Sequence, residues 1–371
     1  MNANPNFLSS AFPQSPYPKG WFVVADSRDV APGEVKPLKY FGRDLVLWRG
    51  ESGQVYLMDA NCLHLGAHMG YRGDEEQRKL VPAVVGEDIA CPWHAWRWNG
   101  QGRNTCIPYK NEKPKAGAKI RTYPVKEWHG MVICWYAWDE SDPEWEMPEF
   151  WELEAEDFYP FHPSGTHHWV LKGHCQSPME NSADFSHIHF VHGSGGLAEP
   201  EAMLCDKHRM VADVTVLYGR PDKKTTLTAV GGQKATIRLD HYGIGISVHR
   251  WGEQLWPACL VTSFTPIDDE HYEVGYHFVA KRGPGESGDV MQGKAARMFK
   301  MQKHVIEQDF FIWNHGKRLD NALYAASEAK LYGRLRYWAL QFYPETAEGY
   351  VCPGDDMSTL GSLDDRIPVE A

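Results

Sequence analysis

The sequence predicts an α+β protein, with an N-terminal all-β domain followed by an α+β domain in which helices flank an antiparallel sheet. Short apolar or alternating strands separated by Gly-rich turns fill residues 21–138. Alternating patterns recur between residues 210 and 281, and helical periodicity follows them. We expect residues 1–20 to be a flexible lead-in, 21–138 to form the first domain and 139–371 to form the second.

Composition limits the class of protein. The 371 residues are 43% hydrophobic and include 15 Trp, and the net charge is −11. A nucleic-acid binder would show a basic face, so the acidic balance argues against that class. No apolar run approaches the 18 residues of a membrane helix, and the polar, Pro-rich N-terminus lacks the pattern of a signal peptide. We therefore expect a cytoplasmic protein whose eight Cys are metal ligands or core residues, not disulfides.

The strands of the first domain are expected where apolar residues cluster between turn residues. Strands are predicted at 21–25, 45–48, 55–58 and 131–138, with turns at 50–53 and at Asn99-Gly100. The acidic, Pro-containing stretch 139–156 is the expected domain boundary.

The second domain shows strands first and helices later. Strands are predicted at 168–172, 211–217, 235–239, 244–249, 259–264 and 272–280, and helices at 291–316 and 325–342. A further helix is expected over 180–192, ended by the glycines of 193–196. The Gly- and Asp-rich tail from residue 347 is expected to be weakly ordered.

Two Cys/His pairs stand in the first domain: Cys62-Leu-His64 and Cys91-Pro-Trp-His94. Two Cys and two His fit either a tetrahedral zinc site or a Rieske [2Fe–2S] cluster, in which two Cys hold one iron and two His hold the other. Zinc fingers pair Cys with Cys and His with His, whereas each loop here carries one of each. The spacing therefore favours the Rieske cluster. His68 and Cys106 are not expected to be ligands.

The second candidate metal segment contains Asn181, Asp184, His187 and His192. Two imidazoles and a carboxylate suit Fe(II) and leave coordination positions open for reactants. The alternative is a His-rich helix without a metal. His187 and His192 are five residues apart, which rotates them by roughly 140° on a helix, so they share a metal only if the helix is distorted or ends between them. His189 is the rival ligand, but it points to nearly the opposite side from His187.

A third ligand is expected on the long helix, in Glu307-Gln308-Asp309. Asp309 lies next to Phe310, and a carboxylate buried there needs a partner or a metal. The alternative is that Asp309 is a solvated acid, with Glu307 as an equally ordinary neighbour.

The two Cys/His pairs followed by the segment with Asn181, Asp184, His187 and His192 make the sequence similar to the Rieske non-haem iron oxygenases over nearly the whole chain. Within them the sequence is similar to the oxygenase component of 3-ketosteroid 9α-hydroxylase, and the Cys62 loop also resembles the cholesterol 7-desaturase group. The similar stretches are 91–98, 308–309, 312–313, 318–321, 336–338 and 341–343.

The resemblance implies one [2Fe–2S] cluster on Cys62, His64, Cys91 and His94, and one mononuclear Fe(II) on His187, His192 and Asp309. It also implies electrons from NAD(P)H through a separate ferredoxin-type reductase, and insertion of one oxygen atom from O2 into a C–H bond of an apolar substrate.

The resemblance further implies a head-to-tail homotrimer. Asp184 would then bridge His94 of one subunit and His187 of the next, and Asn181 would lie near the iron. Both residues are candidate catalytic residues on this basis.

Other functions remain open at this point. A sterol desaturase or an aromatic-ring hydroxylating or O-demethylating oxygenase would use the same metal centres. A Rieske electron carrier with a non-catalytic ligand-binding domain would leave the site at 187, 192 and 309 empty. A zinc-stabilised binding protein would be colourless.

Overall fold

A computed structural model describes residues 7–219 and 232–360 of the chain. These residues form two compact units, which we call the N-terminal unit and the C-terminal unit. The N-terminal unit contains Trp21–Glu144 and Thr265–Asp269, and the C-terminal unit contains 7–20, 145–219, 232–264 and 270–360. Within the described ranges, we find no helix that is long and apolar enough to cross a membrane.

The N-terminal unit is built almost entirely from short strands. They are β1 (Gly20–Asp26), β2 (Val35–Tyr40), β3 (Arg43–Arg49), β4 (Val55–Asp59), β5 (Val84–Val85), β6 (Asp88–Ala90), β7 (Arg97–Trp98), β8 (Asn104–Cys106), β9 (Thr122–Tyr123), β10 (Val125–Trp128) and β11 (Met131–Tyr136), with one helix, α1 (Glu75–Leu80). Three sheets result, with the orders β1-β11-β10, β2-β3-β4-β9 and β5-β6-β7-β8.

The predicted hairpin at residues 50–53 joins β3 to β4. The backbone N–H of Gly53 donates to the carbonyl of Gly50, and Gly53 has φ +95°, a left-handed conformation that glycine adopts readily. The run Leu45–Trp48 is completely buried. A continuous apolar run of this length is typical of a strand covered on both faces.

The C-terminal unit contains a seven-stranded sheet and two long helices. Its strands are β12 (Thr166–Lys172), β13 (Glu199–Asp206), β14 (Arg209–Tyr218), β15 (Gln233–Tyr242), β16 (Ile246–Trp251), β17 (Ala258–Pro266) and β18 (His271–Ala280); its helices are α2 (Trp151–Glu154), α3 (His187–Phe190), α4 (Gly293–His315) and α5 (Ala329–Ala339). The sheet order is β12-β18-β17-β16-β15-β14-β13, and the pairings from β13 to β17 are antiparallel. The predicted α+β class is confirmed.

The two faces of this sheet differ in chemistry. Successive side chains of a strand point to opposite faces, so β15 contributes Arg238 and Asp240 to one face and Leu239 and His241 to the other. The first face holds buried ion pairs, in which Arg238 binds Asp213 at 2.7 Å and Asp240 accepts from Arg209 at 2.7 Å. The second face borders a cavity. The alternation therefore separates a structural face from a face available to a ligand.

Helix α4 packs against β12 and β18, where Ala295 and Met298 join a buried cluster with Tyr276 and Phe278. The helix leaves one face toward the cavity. Its apolar residues recur at the three- and four-residue spacing that places side chains on one face of a helix. The packing therefore fixes where the residues of α4 point.

Three expectations require correction. Residues 180–192 do not form one helix, because a short 3₁₀ helix (Met179–Ser182) and α3 are separated by irregular backbone. Residues 7–20 of the lead-in pack against the rest of the C-terminal unit, since Ser9 N–H donates to Gly333 O at 2.8 Å and Phe12 is buried. The tail is ordered to residue 360, where Met357 and Leu360 pack on the sheet. Residues 361–371 lie outside the described residues.

Candidate metal centres and adjoining pocket

The two Cys/His loops of the N-terminal unit have the same backbone pattern. In each loop the N–H of the Cys donates to the carbonyl five residues later, and the N–H four residues after the Cys donates back to it. The residue at this fourth position has positive φ, +79° for Gly66 and +55° for Ala95. The loops follow β4 and β6, so the hairpin sheets hold both in place.

The loops bring the four predicted ligands together. The rings of His64 and His94 are 4.8 Å apart, and the thiols of Cys62 and Cys91 are hydrogen-bonded to each other. The shared hydrogen bond to Cys91 raises the pKa of the Cys62 thiol, and the same bond lowers the pKa of Cys91 to about 6. The two sulfur atoms therefore lie close together, as two ligands of one iron would.

Two buried nitrogen atoms without hydrogen-bond partners indicate whether these residues fit a Rieske cluster. The Nδ1 atoms of His64 and His94 are buried, and within the described residues neither has a hydrogen-bond partner. A buried polar atom without a partner is costly, and metal ligation removes that cost. Trp96 stacks on His64 with ring centroids 4.3 Å apart and restricts its orientation. Two Cys and two His with both Nδ1 atoms unpaired fit the cluster.

The residues judged not to be ligands lie outside this group. His68 accepts a hydrogen bond from its own loop at Gly70 N, and its pKa is lowered by burial. Cys106 lies in β8, and Cys134 is fully buried in β11, where desolvation raises the pKa of its thiol. Cys134 is thus a core residue.

The distortion of the second segment is what brings its two His together. Helix α3 ends at Phe190, before His192. The rings of His187 and His192 consequently meet at a centroid distance of 5.1 Å, nearly perpendicular to each other. His189, the rival ligand, is held elsewhere, because its Nδ1 contacts the carbonyl of Ser194 at 2.8 Å.

Asp309 joins these two His from helix α4. Its Oδ1 is 3.5 Å from Nε2 of His192, and the ligand atoms of His187, His192 and Asp309 all lie within 4.8 Å of one another. Asp309 is only 5% exposed, whereas Glu307 forms an ion pair with Lys303 one turn earlier and is about one-third exposed. The two acids of this stretch thus have different roles, and Asp309 is the one that faces the His pair.

The second nitrogen of each imidazole is occupied by protein. Nδ1 of His187 contacts the carbonyl oxygen of Asp184, and Nδ1 of His192 is 3.1 Å from Oε1 of Gln308. A ring whose Nδ1–H donates to oxygen presents an unprotonated Nε2, which is the form that binds a metal. Two imidazoles and one carboxyl group, with no further protein ligand among the described residues, fit a 2-His-1-carboxylate iron site with open positions.

Sequence reasoning did not assign this role to Gln308. The residue precedes the predicted ligand Asp309 and lies about 100° away from it around the helix, so periodicity gives no signal. Only its contact with His192 shows what the side chain does.

The two predicted catalytic residues lie beside the His pair. The amide Nδ2 of Asn181 donates to Oδ2 of Asp309 at 3.2 Å and lies 3.4 Å from Nε2 of His187. The carboxylate of Asp184 accepts the backbone N–H of His187 at 3.2 Å and a hydrogen bond from Tyr332. Both residues therefore contact the ligand set, but neither supplies a further ligand atom to it.

A cavity of about 910 Å³, its open mouth included, adjoins these side chains. Most of its wall is apolar and comes from the sheet, from α4 and from the His-bearing segment: Met179, Phe185, Ile188, Val214, Val216, Ile237, Leu239, Trp251, Leu260, Phe264, Val305, Ile306 and Trp313. Its buried His241 and its neighbour His249 stay neutral, since burial lowers their pKa values to about 4 and about 3. The pocket therefore suits an uncharged, largely apolar molecule.

Comparison with known proteins agrees with both centres. Residues 20–124 match the Rieske [2Fe-2S] domain, and residues 134–343 match the 3-Ketosteroid 9alpha-hydroxylase C-terminal domain. The second match covers more than half of the chain. The chain belongs to the 3-ketosteroid 9α-hydroxylase C-terminal domain family. As a member of this family with a Rieske domain, it is a Rieske-type non-haem iron oxygenase, with a Rieske cluster and a mononuclear iron as its cofactors.

Individual relatives of this family member are distant. A 3-ketosteroid-9-alpha-monooxygenase oxygenase component from Rhodococcus rhodochrous is 27% identical over 334 residues, which cover 88% of this chain and 84% of that protein. A cholesterol 7-desaturase from Bombyx mori is 28% identical and covers 89% of this chain and 70% of that protein. A structure of the NdmA QL mutant from Pseudomonas putida CBB5 with theobromine shares the fold, with a TM-score of 0.65, 13% identity and coverage of 86% and 89%.

Proposed function

We propose that this chain is the terminal oxygenase that hydroxylates a 3-ketosteroid, at the 9α position, or a similarly bulky apolar ring compound. The observation that carries this proposal is the convergence of His187, His192 and Asp309 on the wall of a large, mostly apolar pocket. The match to the relatives named for 3-ketosteroid oxidation covers most of the length of those proteins, which supports the substrate class.

The residue assignments belong to the same proposal. Cys62, His64, Cys91 and His94 would hold the cluster, and His187, His192 and Asp309 the mononuclear iron. When bound, the cluster supplies single electrons and the iron supplies activation of O2. We propose the N-terminal unit as the electron-transfer domain and the C-terminal unit as the catalytic domain.

The protein itself contributes orientation and exclusion of water. The apolar walls would hold the ring system of the substrate against the metal site and keep bulk water from it. The amide of Asn181, which donates to Asp309, would fix the carboxylate so that one oxygen atom faces the two imidazoles. Gln308 and Asp184 would keep both imidazoles in the Nδ1–H form.

We also propose a head-to-tail homotrimer and a separate ferredoxin-type reductase that takes electrons from NAD(P)H. The carboxylate of Asp184 supports an intermolecular role, because it contacts His187 while 29% of its side chain remains exposed. It could therefore accept a hydrogen bond from His94 of a partner subunit. The cytoplasmic location stays a prediction from the sequence.

Desaturation is the second candidate, favoured by the cholesterol 7-desaturases among the relatives. Hydroxylation and desaturation both begin with removal of a hydrogen atom from the substrate, so the metal ligands do not distinguish them. An O-demethylating or ring-hydroxylating reaction on an aromatic compound would use the same ligands with a smaller substrate.

The deciding experiment starts from anaerobically purified protein. Iron and acid-labile sulfide are measured together with the visible and EPR spectra, and turnover is then assayed with a reconstituted reductase. Androst-4-ene-3,17-dione, cholesterol and an aromatic methyl ether serve as substrates, with products identified by mass spectrometry and NMR. A hydroxylated ketosteroid supports the proposal, and a new double bond in cholesterol supports the second candidate. Zinc without colour would contradict both.

A further inference from the structure

Helix α4 places polar side chains at two points along the face that borders the pocket. Gln302, Val305, Ile306, Asp309 and Trp313 all line the cavity, and their spacing puts them on one face of the helix. Asp309 belongs to the metal site. Gln302 lies seven residues earlier, which is about 10 Å along the axis at 1.5 Å per residue. The two polar groups thus lie about two turns apart along one mostly apolar wall of the pocket.

Gln302 is buried, with 6% of its surface exposed, and it is hydrogen-bonded to the hydroxyl of Tyr218 on the sheet. Trp251 Nε1 donates to the hydroxyl of Tyr218 at 3.2 Å, and the same hydroxyl is hydrogen-bonded to Gln302. Tyr218 and Trp251 are 1% and 5% exposed. Burying an amide in an apolar wall is unfavourable unless its hydrogen bonds are made, so this position calls for a partner.

A count of hydrogen-bond donors indicates what that partner is. Gln302 offers two N–H donors, and Tyr218 and Trp251 offer one each. Two hydrogen bonds join the three side chains. These three side chains therefore have more N–H and O–H donors than the hydrogen bonds between them use. A ligand atom that accepts hydrogen bonds, such as a carbonyl oxygen, would satisfy the remaining donors.

The other polar groups of the pocket are largely paired among themselves. His241 Nε2 contacts Ser182 Oγ at 2.9 Å, and His249 Nε2 contacts Ser247 Oγ at 3.0 Å. Nδ1 of His241 is the exception, since it is buried and lacks a partner within the described residues. His241 is therefore the rival anchor. It contacts the 3₁₀ helix that also carries Asn181, so it lies toward the metal segment and not at the remote end.

We propose that Gln302, held by Tyr218 and Trp251, binds a ketone oxygen of the substrate at the end of the molecule remote from the oxidised carbon. This inference rests on the proposed function and adds a specificity determinant to it. The ligand class is an apolar fused-ring ketone whose oxygen lies several ångströms from the carbon that reacts. Removal of the amide would weaken binding of the ketone without weakening binding of the matching hydrocarbon.

The test uses the complete holoenzyme and measures equilibrium dissociation constants by isothermal titration calorimetry. The probes are androst-4-ene-3,17-dione and its two analogues that lack either the 3-oxygen or the 17-oxygen. Gln302→Leu replaces the amide with an apolar side chain, and Gln302→Met, which keeps the length of the side chain, is the second variant in case the first is unstable. Gln292→Leu is the matched control, because Gln292 is exposed at the start of α4.

We expect Gln302→Leu to raise the Kd of the dione about ten-fold, the loss of one hydrogen bond in a buried site. For the analogue without the anchored oxygen, the Kd should stay within about two-fold of wild type, since that analogue never makes the bond. Tyr218→Phe should give a smaller loss with the same selectivity. Gln292→Leu should bind all three probes as wild type does.

Gln302 would not be the residue that binds the ketone if Gln302→Leu weakened binding of all three probes equally, or weakened none of them. The same conclusion would follow if His241→Phe, and not Gln302→Leu, removed the preference for the ketone. If wild-type protein binds no steroid, the proposed function fails separately. The same comparison is then made with α-tetralone and tetralin, and absence of a Gln302-dependent ketone preference there also overturns the anchor.

Discussion

Oε1 of Gln308 lies 3.1 Å from Nδ1 of His192, while Nε2 of the same ring lies 3.5 Å from Oδ1 of Asp309. Adjacent residues of one helix therefore contact opposite nitrogens of one imidazole. Gln308 fixes which nitrogen carries the proton, and Asp309 lies on the side of the other nitrogen. Helix α4 thus contacts His192 at both of its ring nitrogens.

Replacement of Gln308 by Leu should weaken iron binding. Without the acceptor, His192 is free to rotate or to take the wrong tautomer, and loss of such a supporting contact typically reduces metal affinity by about 10–100-fold. The measurement is the Fe(II) dissociation constant of the mononuclear site in apo-protein. Gln308→Glu keeps an acceptor oxygen at this position and should retain most of the affinity. Equal affinities for the Leu variant and wild type would show that Gln308 does not position His192.

Substitution of His187 by Ala should abolish product formation and leave the Rieske spectrum intact. In the proposed assignment His187 belongs only to the mononuclear site, whereas the proposed cluster residues lie in the N-terminal unit. The measurements are turnover, iron content and EPR of the reduced protein. His189→Ala is the matched control, because His189 contacts Ser194 and not the site. Retained turnover in His187→Ala would refute the proposed ligand set.

Arg336→Lys should destabilise the segment that carries the His pair. Arg336 binds Glu180 through two hydrogen bonds of 2.8 and 3.0 Å, and both side chains are largely buried. Lysine keeps the positive charge but cannot form the bidentate hydrogen bonds to the carboxylate, so we expect a loss of about 1–3 kcal/mol in the free energy of unfolding. Urea denaturation measures it.

The control for this variant is an exposed ion pair of the same type. Glu75 and Lys79 pair on α1 with side chains 84% and 70% exposed, and Lys79→Ala should change the free energy of unfolding by less than about 0.5 kcal/mol. An effect of Arg336→Lys as small as that of Lys79→Ala would show that the pair does not hold the segment in place.

Stability should fall as the pH drops from about 6.5 to about 4. His174 is buried, its pKa is lowered to about 4 by desolvation, and its Nδ1 accepts the N–H of Gln176. In this window the unfolded chain binds a proton at His174 and the folded chain does not, so protonation favours unfolding. The stability is complete above the unfolded pKa and declines toward the folded one, by about 3 kcal/mol for this residue.

Urea denaturation at several pH values measures this decline. His174→Gln removes the titrating group, so its free energy of unfolding should depend less steeply on pH between 6.5 and 4. Buried His241, with a similarly lowered pKa, should leave part of the slope in place. An unchanged slope in His174→Gln would show that His174 is not the group responsible.

Local sequence determined the Cys/His loops. Each loop is a few residues long and carries its own turn-forming residues, so Cys62 and His64 are held together by contacts within the loop. The strands of both units could likewise be predicted from alternation and apolar runs, because the period of two follows directly from strand geometry. The short strands β5 to β10 gave too little periodic signal, and neither β2 nor β13 was predicted.

The segment that carries His187 and His192 could not be predicted fully from its local sequence. The sequence showed that a regular helix would separate His187 from His192, but not where the backbone would break. In the structure this segment makes contacts with residues distant in sequence, such as Arg336 with Glu180 and Gln308 with His192, which periodicity does not reveal. The same holds for the pocket, since Tyr218, Trp251 and Gln302 come from three separate elements.

The sequence by itself determined the class of the chain, its two ligand constellations and the alternation of its strands, because residue type and short spacing carry that information. Only the tertiary structure decided that Asp309 faces the His pair while Glu307 does not, and that Gln302 lines the same pocket. The physical reason is that the direction of a helical side chain depends on how the helix packs, and the packing of α4 is set by residues distant in sequence.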